Sequence, residues 1–243
     1  LHLSVGSIPM VRIHGIMKKL QLPALELSQM ESIKNEVLNA NQKKLFDKNL
    51  ELDFSTAIEG GRFRVNFFHQ INGLSAVFRT IPSGIKSTDE LGLPPILNQL
   101  AMKEKGLVLL TGPTGSGKST TLAAMIDYVN ENKSCHIITI EDPVEYFHSS
   151  KNSMINQREL GQSTHSFGNA LKSALREDPD VILVGEMRDL ETIQLALTAA
   201  ETGHLVFSTL HTSSAVKTID RIIDVFPSGP PLVLLCQSEV HWQ

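Results

Sequence analysis

Apolar and polar positions alternate along the first third of the chain, as they do in strands with one buried face. The alternation covers residues 10–14, 51–58, 62–68 and 76–81. Gly60-Gly61 supplies a turn within it, and Ser28 with Glu31 has the spacing of a capping box at a helix start. Residues 1–82 are therefore predicted to form a small α+β domain. We expect its start to be missing, because the opening residues already alternate like a strand interior.

Proline and glycine interrupt this pattern between residues 83 and 95, where we place an interdomain linker. Beyond it, short apolar segments alternate with helical patterns. Strands are predicted at 107–110, 136–140, 181–184 and 204–208, and helices at 119–129, 167–175, 191–200 and 215–223. Four strand–helix units in succession are typical of an α/β fold, with helices on both faces of a parallel sheet.

Composition and charge exclude several classes of protein. Apolar residues make up 41% of the chain and charged residues 20%, as in soluble globular proteins, and no apolar run approaches the length that a bilayer needs. A net charge of −4 gives no footprint for nucleic acid. The two cysteines, Cys135 and Cys236, lie far apart and form no CxxC pair. We therefore expect a reducing cytosol, with neither a disulfide nor a metal cluster.

A glycine-rich segment between a predicted strand and a predicted helix fits the phosphate-loop pattern without a mismatch. Its backbone N–H groups and the helix N-terminus can surround a phosphate. Lys118 would reach the β- and γ-phosphates of ATP, and the Ser119 hydroxyl would ligate Mg²⁺. The predicted nucleotide-binding residues are Gly112, Pro113, Thr114, Gly115, Ser116, Gly117, Lys118, Ser119 and Thr120.

Two acidic residues follow other predicted strands of the same sheet. Because the carboxyl ends of parallel strands form the ligand crevice, Glu186 is expected near the γ-phosphate, where it can orient or deprotonate water. The alternative for Glu186 is an ordinary helix-start residue. Glu145 has two readings of equal weight from the residues alone: a second catalytic acid, or the capping-box partner of Asp142 at a helix that begins with Pro143.

One histidine and three arginines complete the set of candidates. His211 follows the last predicted strand, where it either contacts the γ-phosphate or serves as a structural residue. Arg62, Arg64 and Arg79 lie on predicted strands of the first domain. They are either ion-paired surface residues or arginine fingers that stabilise charge on the γ-phosphate.

The motifs together resemble one family, the secretion ATPases of type II secretion systems and type IV pili. The phosphate loop and residues 139–145, 175–189 and 203–212 correspond to the family's Walker A, aspartate, Walker B and histidine boxes. Residues 77–82, 174–192 and 218–221 resemble the retraction branch of that family most closely.

The resemblance implies a PAS-like N-terminal domain and a RecA-like ATPase core over residues 96–227, assembled as a homohexameric ring. It implies that Glu186 is the catalytic acid, Glu145 a second essential acid and His211 the histidine-box residue. Arg64 and Arg79 match arginines that the N-terminal domain offers to nucleotide. The implied function is an ATP- and Mg²⁺-dependent motor of pilus retraction and twitching motility. It would lie at the cytoplasmic face of the inner membrane, peripheral to it, with an inner-membrane platform protein of the pilus as partner and no nucleic acid.

Residues 228–243 depart from the family, since Ser228-Gly229-Pro230-Pro231 forbids the helix expected there. We expect an aberrant tail and a core that is incomplete at its C-terminus, which leaves hydrolysis and assembly by this chain open. One alternative function is an assembly or secretion ATPase of the same superfamily. A RecA-like nucleic-acid motor is disfavoured by the lack of a basic stripe. A decayed nucleotide-binding fragment without motor activity is the third alternative.

Overall fold

Two sheets organise the chain, and each corresponds to one of the two sequence patterns. A computed structural model describes residues 1–82, 84–212 and 215–224. Residue 83 of the predicted linker and the predicted tail 228–243 lie outside the described residues, and the proposed domain bounds stay predictions. None of the helices in the described ranges combines the length and the apolar character needed to span a membrane.

The first sheet is antiparallel and has six strands. They are β1 (His2–Ser4), β2 (Met10–Ile13), β3 (Ile16–Lys19), β4 (Glu51–Ile58), β5 (Gly61–Gln70) and β6 (Gly73–Ile81), in the spatial order β3-β2-β1-β6-β5-β4. Helices α1 (Leu27–Val37) and α2 (Ala40–Asn49) pack against it. Met30, Phe46 and Phe67 are fully buried between the helices and the sheet, which confirms the predicted α+β unit.

The helix starts in this unit differ from the prediction. Helix α1 begins after Glu26, whose backbone N–H donates to Gln29 Oε1 at 2.9 Å, so the capping pair lies two residues before Ser28 and Glu31. Helix α2 was not predicted. Asn39 caps it by accepting hydrogen bonds from two backbone N–H groups of its first turn.

The turn between β4 and β5 is also shifted by one residue. Ile58 pairs with Gly61, which leaves Glu59 and Gly60 in the turn instead of Gly60-Gly61. Gly61 thereby becomes the first residue of β5, and the long β4–β5–β6 ladder holds the arginine-bearing strands in a fixed register.

The second sheet is parallel throughout and has five strands. They are β7 (Gly106–Thr111), β8 (His136–Glu141), β9 (Met154–Glu159), β10 (Val181–Val184) and β11 (Leu205–Leu210), in the order β7-β11-β10-β8-β9. Its helices are α3 (Ile96–Ala101), α4 (Lys118–Asn132), α5 (Phe167–Ala174), α6 (Leu190–Glu201) and α7 (Ala215–Asp224). The predicted α/β core is therefore confirmed.

Successive residues of these strands face opposite apolar layers, as the pleat requires. Ile138, Ile182 and Val206 pack with α5 and α6 on one side of the sheet. Leu183 and Phe207 pack with α3 and α4 on the other side. Helices thus cover both faces, and the carboxyl ends of the strands remain as the accessible edge where ligands bind in such sheets.

Two features of this sheet differ from what the sequence predicted or left open. Strand β9 was not predicted, because Met154–Glu159 is a mostly polar edge strand without apolar alternation. The structure describes residues 142–153, between β8 and β9, and no helix begins at Asp142. The chain instead continues through a cis Asp142-Pro143 peptide bond into an irregular segment. The capping reading of Glu145 is therefore wrong.

Candidate functional site

The glycine-rich loop between β7 and α4 is shaped by backbone conformations that side chains disfavour. Gly112 has a φ of +151°, and a Cβ atom there would lie 2.7 Å from Ser116 Oγ. Gly117, at the start of α4, has a φ of +92°. Glycine is required at both positions, because a side chain would meet the loop at the first and be strained at the second. The chain can therefore curl tightly between the strand and the helix.

The start of α4 offers unsatisfied backbone N–H groups to the space beside the loop. No side chain in the described part of the chain caps this helix. Lys118, its first residue, donates from Nζ to the carbonyl oxygens of Gly112 at 2.9 Å and Pro113 at 3.0 Å. A positive side chain and a positive helix end thus lie together, which is an arrangement suited to a phosphate.

The loop forms one wall of a cavity of about 340 Å³ at the carboxyl edge of the sheet. The predicted nucleotide-binding residues that line it are Thr114, Gly115, Gly117, Lys118, Ser119 and Thr120. Gly112, Pro113 and Ser116 complete the loop without lining the cavity. The cavity joins this loop to the ends of β8, β10 and β11, because β11 lies between β7 and β10 in the sheet.

Glu186 follows β10 and faces the cavity together with His211, which follows β11. Glu186 Oε1 lies 3.6 Å from His211 Nε2, and Glu186 Oε2 lies 2.8 Å from Arg188 Nη2. This hydrogen bond raises the pKa of Arg188. Thr209 Oγ1 donates to the Gly185 carbonyl at 2.7 Å and so fixes the strand end beside Glu186. The structure thus places Glu186 and His211, two of the predicted site residues, next to each other.

The segment after β8 carries the other predicted acid. Glu145 is exposed and lines the cavity, whereas Glu141, at the end of the strand, is buried. Glu141 Oε1 accepts hydrogen bonds from Thr139 Oγ1 at 2.7 Å and from Gln157 Nε2 at 3.3 Å. Burial raises the pKa of Glu141. The carboxyl group of Glu145 is therefore accessible to solvent, whereas that of Glu141, four residues earlier, is shielded from it.

Arg64 and Arg79 lie opposite each other on β5 and β6, and neither lines the cavity of its own chain. Arg64 Nε donates to both carboxylate oxygens of Asp53 at 3.1 Å. This hydrogen bond is the main cause that raises the pKa of Arg64, and the charges of Asp142 and Glu145 add to it. Arg62, the third arginine, stacks its guanidinium 5.3 Å from the Phe147 ring centroid.

The cavity lining also includes Glu141, Tyr146, His148 and Arg188, which were not among the predicted site residues. Tyr146 Oη lies 2.9 Å from Thr120 Oγ1, which ties the acidic segment to the first turn of α4. His148 is buried, and burial lowers its pKa to about 4. The available signal was their closeness in sequence to Glu145 and Glu186, but it does not distinguish buried from exposed positions.

Comparison with known proteins agrees with this geometry. The family model described as "Type II/IV secretion system protein" matches residues 10–227. The chain is 60% identical over 222 residues to a twitching motility protein of Neisseria gonorrhoeae, covering 91% of this chain and 59% of the relative. It is 58% identical over 229 residues to the type IV pilus retraction ATPase PilT of Pseudomonas aeruginosa, covering 94% of this chain and 67% of the relative.

A crystal structure of the pilus retraction motor PilT with bound ADP has the same fold. It superposes with a TM-score of 0.90 at 52% identity, over 93% of this chain and 67% of that chain. The chain thus spans about three fifths to two thirds of the length of the relatives it matches. Since the family model matches most of the chain and both sheets have their counterpart in a solved member, the chain belongs to the family of type II/IV secretion system proteins.

Proposed function

We propose that this chain binds ATP at the loop of residues 112–119 and hydrolyses it. The observation that carries the proposal is a single cavity that joins Lys118 and the start of α4 to three groups able to act on water: Glu145, Glu186 and His211. A phosphate-binding end and a group that can accept a proton are the two parts that hydrolysis of a phosphoanhydride needs.

Each side chain has a distinct part in this proposal. Lys118 neutralises the β- and γ-phosphates, and the backbone N–H groups of the loop and of α4 surround them. Glu186 orients the attacking water and accepts its proton, and His211 lies beside the Glu186 carboxylate. Glu145 is the second acid at the cavity. The Thr120 hydroxyl group bonds to the Tyr146 hydroxyl group and so connects the first turn of α4 to the segment that carries Glu145.

The donor set of the cavity fits Mg²⁺ bound together with ATP. Within residues 1–82, 84–212 and 215–224, no cluster of three or more His, Cys, Asp or Glu side chains could hold a metal by itself. Mg²⁺ does not need such a cluster, because it usually takes one or two protein oxygens together with phosphate oxygens and water. Ser119, in the first turn of α4, lines the cavity and supplies a hydroxyl. When bound, the ion would neutralise charge on the phosphates.

The arginines and the assembly belong to the same proposal. Arg64 and Arg79 lie on one row of the first sheet but outside the cavity of their own chain. We therefore place them at the nucleotide of a neighbouring subunit in a homohexameric ring, where an arginine supplied in trans accelerates phosphoryl transfer. The names of the relatives support a motor of type IV pilus retraction and twitching motility. Its proposed position is the cytoplasmic face of the inner membrane, beside a platform protein of the pilus.

Titration with a fluorescent ATP analogue tests the nucleotide site. The Lys118→Ala variant is expected to lose at least about tenfold in affinity, because Lys118 supplies the side-chain charge closest to the loop. Lys105→Ala is the matched control, since Lys105 is exposed at the opposite end of the same strand region. Equal affinities for both variants would refute the assignment of the loop.

A chimera tests the motor role. Residues 10–227 would replace the corresponding segment of the Pseudomonas aeruginosa retraction ATPase, which supplies the rest of the protein. The chimera is expected to restore twitching to a strain that lacks its own retraction ATPase, and the same chimera with Glu186→Gln is expected to fail. If the chimera instead restores pilus assembly to a strain lacking the assembly ATPase, the proposed direction of force is wrong.

A further inference from the structure

Two buried carboxyl groups hold the irregular segment that carries Glu145. Glu141 and Glu159 end the neighbouring strands β8 and β9 and are partners in the strand register. Glu159 Oε2 accepts the backbone N–H of Val144 at 3.0 Å, and Glu141 Oε2 accepts that of Glu145 at 3.4 Å. Consecutive backbone amides of the segment are thus bound by side chains of adjacent strands. The position of Glu145 at the cavity depends on both.

Glu159 is also bound from the other sheet. Ser55, on β4, lies 2.9 Å and 2.7 Å through its Oγ from the two carboxylate oxygens of Glu159. Gln162 donates to the Ser55 carbonyl at 3.2 Å and to Glu159 as well. Ser55 and Glu159 are each 6% exposed, so water does not compete effectively for this contact. One carboxyl group therefore joins the antiparallel sheet to the backbone beside Glu145.

The same position of the antiparallel sheet carries the arginines. Ser55 pairs with Arg64, and Arg64 pairs with Arg79, so the three residues form one row across β4, β5 and β6. Residues directly opposite in antiparallel strands project from the same face. Ser55 therefore attaches one face of the antiparallel sheet to Glu159 of the parallel sheet. Both arginines project from that same face.

We propose that Glu159 is a positioning residue that links the antiparallel sheet to the catalytic segment. Its contact with Ser55 fixes its carboxyl group, the carboxyl group fixes the Val144 amide, and the amide places Glu145 at the cavity. Displacement of the antiparallel sheet would therefore release Glu145 as well as move the arginine row. The expected effect on ATP turnover rests on the proposed function. The hydrogen-bonded linkage between Ser55 and residues 142–146 is independent of that function.

Ser55→Ala removes one end of the linkage and leaves the rest of the network in place. In this variant Glu159 retains the Val144 amide and Gln162 as partners, so no buried carboxyl group loses all of its hydrogen bonds. Ser75→Ala is the matched control. Ser75 is a buried serine of the same sheet, 4% exposed, and its hydroxyl bonds to Ser4 Oγ at 2.9 Å, within the sheet.

Hydrogen–deuterium exchange at residues 142–146 tests the linkage directly. Ser55→Ala is expected to speed exchange there by roughly tenfold or more, because local opening of the segment becomes easier. Ser75→Ala is expected to leave that exchange unchanged. In ATPase assays, Ser55→Ala is expected to lower kcat roughly tenfold with KM for ATP unchanged. This is less than the about 10²-fold that a misplacement of about 1 Å can cost. A change in KM with kcat unchanged would overturn a positioning role.

Ser55→Thr keeps the hydroxyl group and separates this contact from general packing. Exchange at residues 142–146 is expected to stay close to that of the unmodified chain. Equal exchange in Ser55→Ala and the unmodified chain would overturn the proposal, and so would equally rapid exchange in Ser55→Thr and Ser55→Ala. If exchange follows the prediction in a chain that does not hydrolyse ATP, the linkage stands and the proposed ATPase function fails.

Discussion

Acidification probes the buried wall of the cavity, because that wall contains His148. The side chain is 5% exposed, and its Nδ1 atom finds no hydrogen-bond partner among the described residues. Burial lowers the pKa of His148 from 6.5 to about 4; Asp127 opposes this shift and Lys151 adds to it. A buried imidazole without a partner resists protonation, since the charged form would have to leave water.

The sign and size of the effect follow from the two pKa values. As the pH falls below 6.5, the unfolded chain binds a proton at His148 and the folded chain does not, so the folded state is destabilised down to about pH 4. At about 1.4 kcal/mol per pKa unit, the full difference is about 3 kcal/mol, and about 2 kcal/mol of it is lost by about pH 5. Above pH 6.5, the pKa of His148 in the unfolded chain, the imidazole is neutral in both states and the folded state loses no stability through it.

Urea unfolding of the chain and of His148→Gln, between about pH 7.5 and about pH 5, measures this contribution. The free energy of unfolding should fall by about 2 kcal/mol more in the unmodified chain than in His148→Gln, because glutamine does not titrate. His14→Gln is the control, since His14 is an exposed turn residue. A difference between the unmodified chain and His148→Gln that is the same at both pH values would refute the reasoning, and so would an equal effect of His14→Gln.

Three substitutions test other parts of the site and its support. Glu186→Gln should keep nucleotide binding and lower the hydrolysis rate by about 10²–10⁴, as loss of a general base does; full turnover in single-turnover assays would make Glu186 structural. Gly185→Ala places a Cβ atom 3.3 Å from Glu141 Cα, so it should lower the free energy of unfolding by about 1–3 kcal/mol. An unchanged urea midpoint would contradict that close contact. Asp189→Ala removes the carboxylate that accepts the Thr192 N–H at 2.8 Å and should cost about 1 kcal/mol of stability. Asp189→Asn, which keeps an acceptor, should lose less, and equal losses would exclude a capping role.

Much of the fold could be predicted because local sequence and tertiary environment agree in most elements. Strands such as β10, with four buried residues, and the phosphate loop carry their own signals of apolar runs and glycine spacing. Helix α2 was missed because Phe46 is its one buried residue and most of its other residues are polar. Strand β9 was missed because an edge strand needs little apolar alternation. Both segments bury few side chains of their own, and their structure depends on contacts with the neighbouring sheet.

The candidate site was predictable at the strand ends and unpredictable between them. Glu186 and His211 could be placed at one edge, because parallel strands bring their carboxyl ends together. The burial of Glu141 and His148 depends on packing that no local pattern encodes. The contact of Ser55 with Glu159 joins residues 104 apart in sequence, in different sheets. Contacts of that kind arise only when both sheets are folded.

The segment after β8 shows why the helix-start alternative for Glu145 was wrong. Asp142, Pro143 and Glu145 match the start of a capped helix, in which backbone N–H groups would be satisfied by Asp142 and by Glu145 itself. In the structure, Glu159 accepts the Val144 N–H and Glu141 accepts the Glu145 N–H. Tertiary hydrogen bonds thus replace the helical cap and release the Glu145 side chain, which is exposed at the cavity. Because a capping carboxylate could not also face the cavity, the local preference for a helix start and the tertiary structure conflict in this segment.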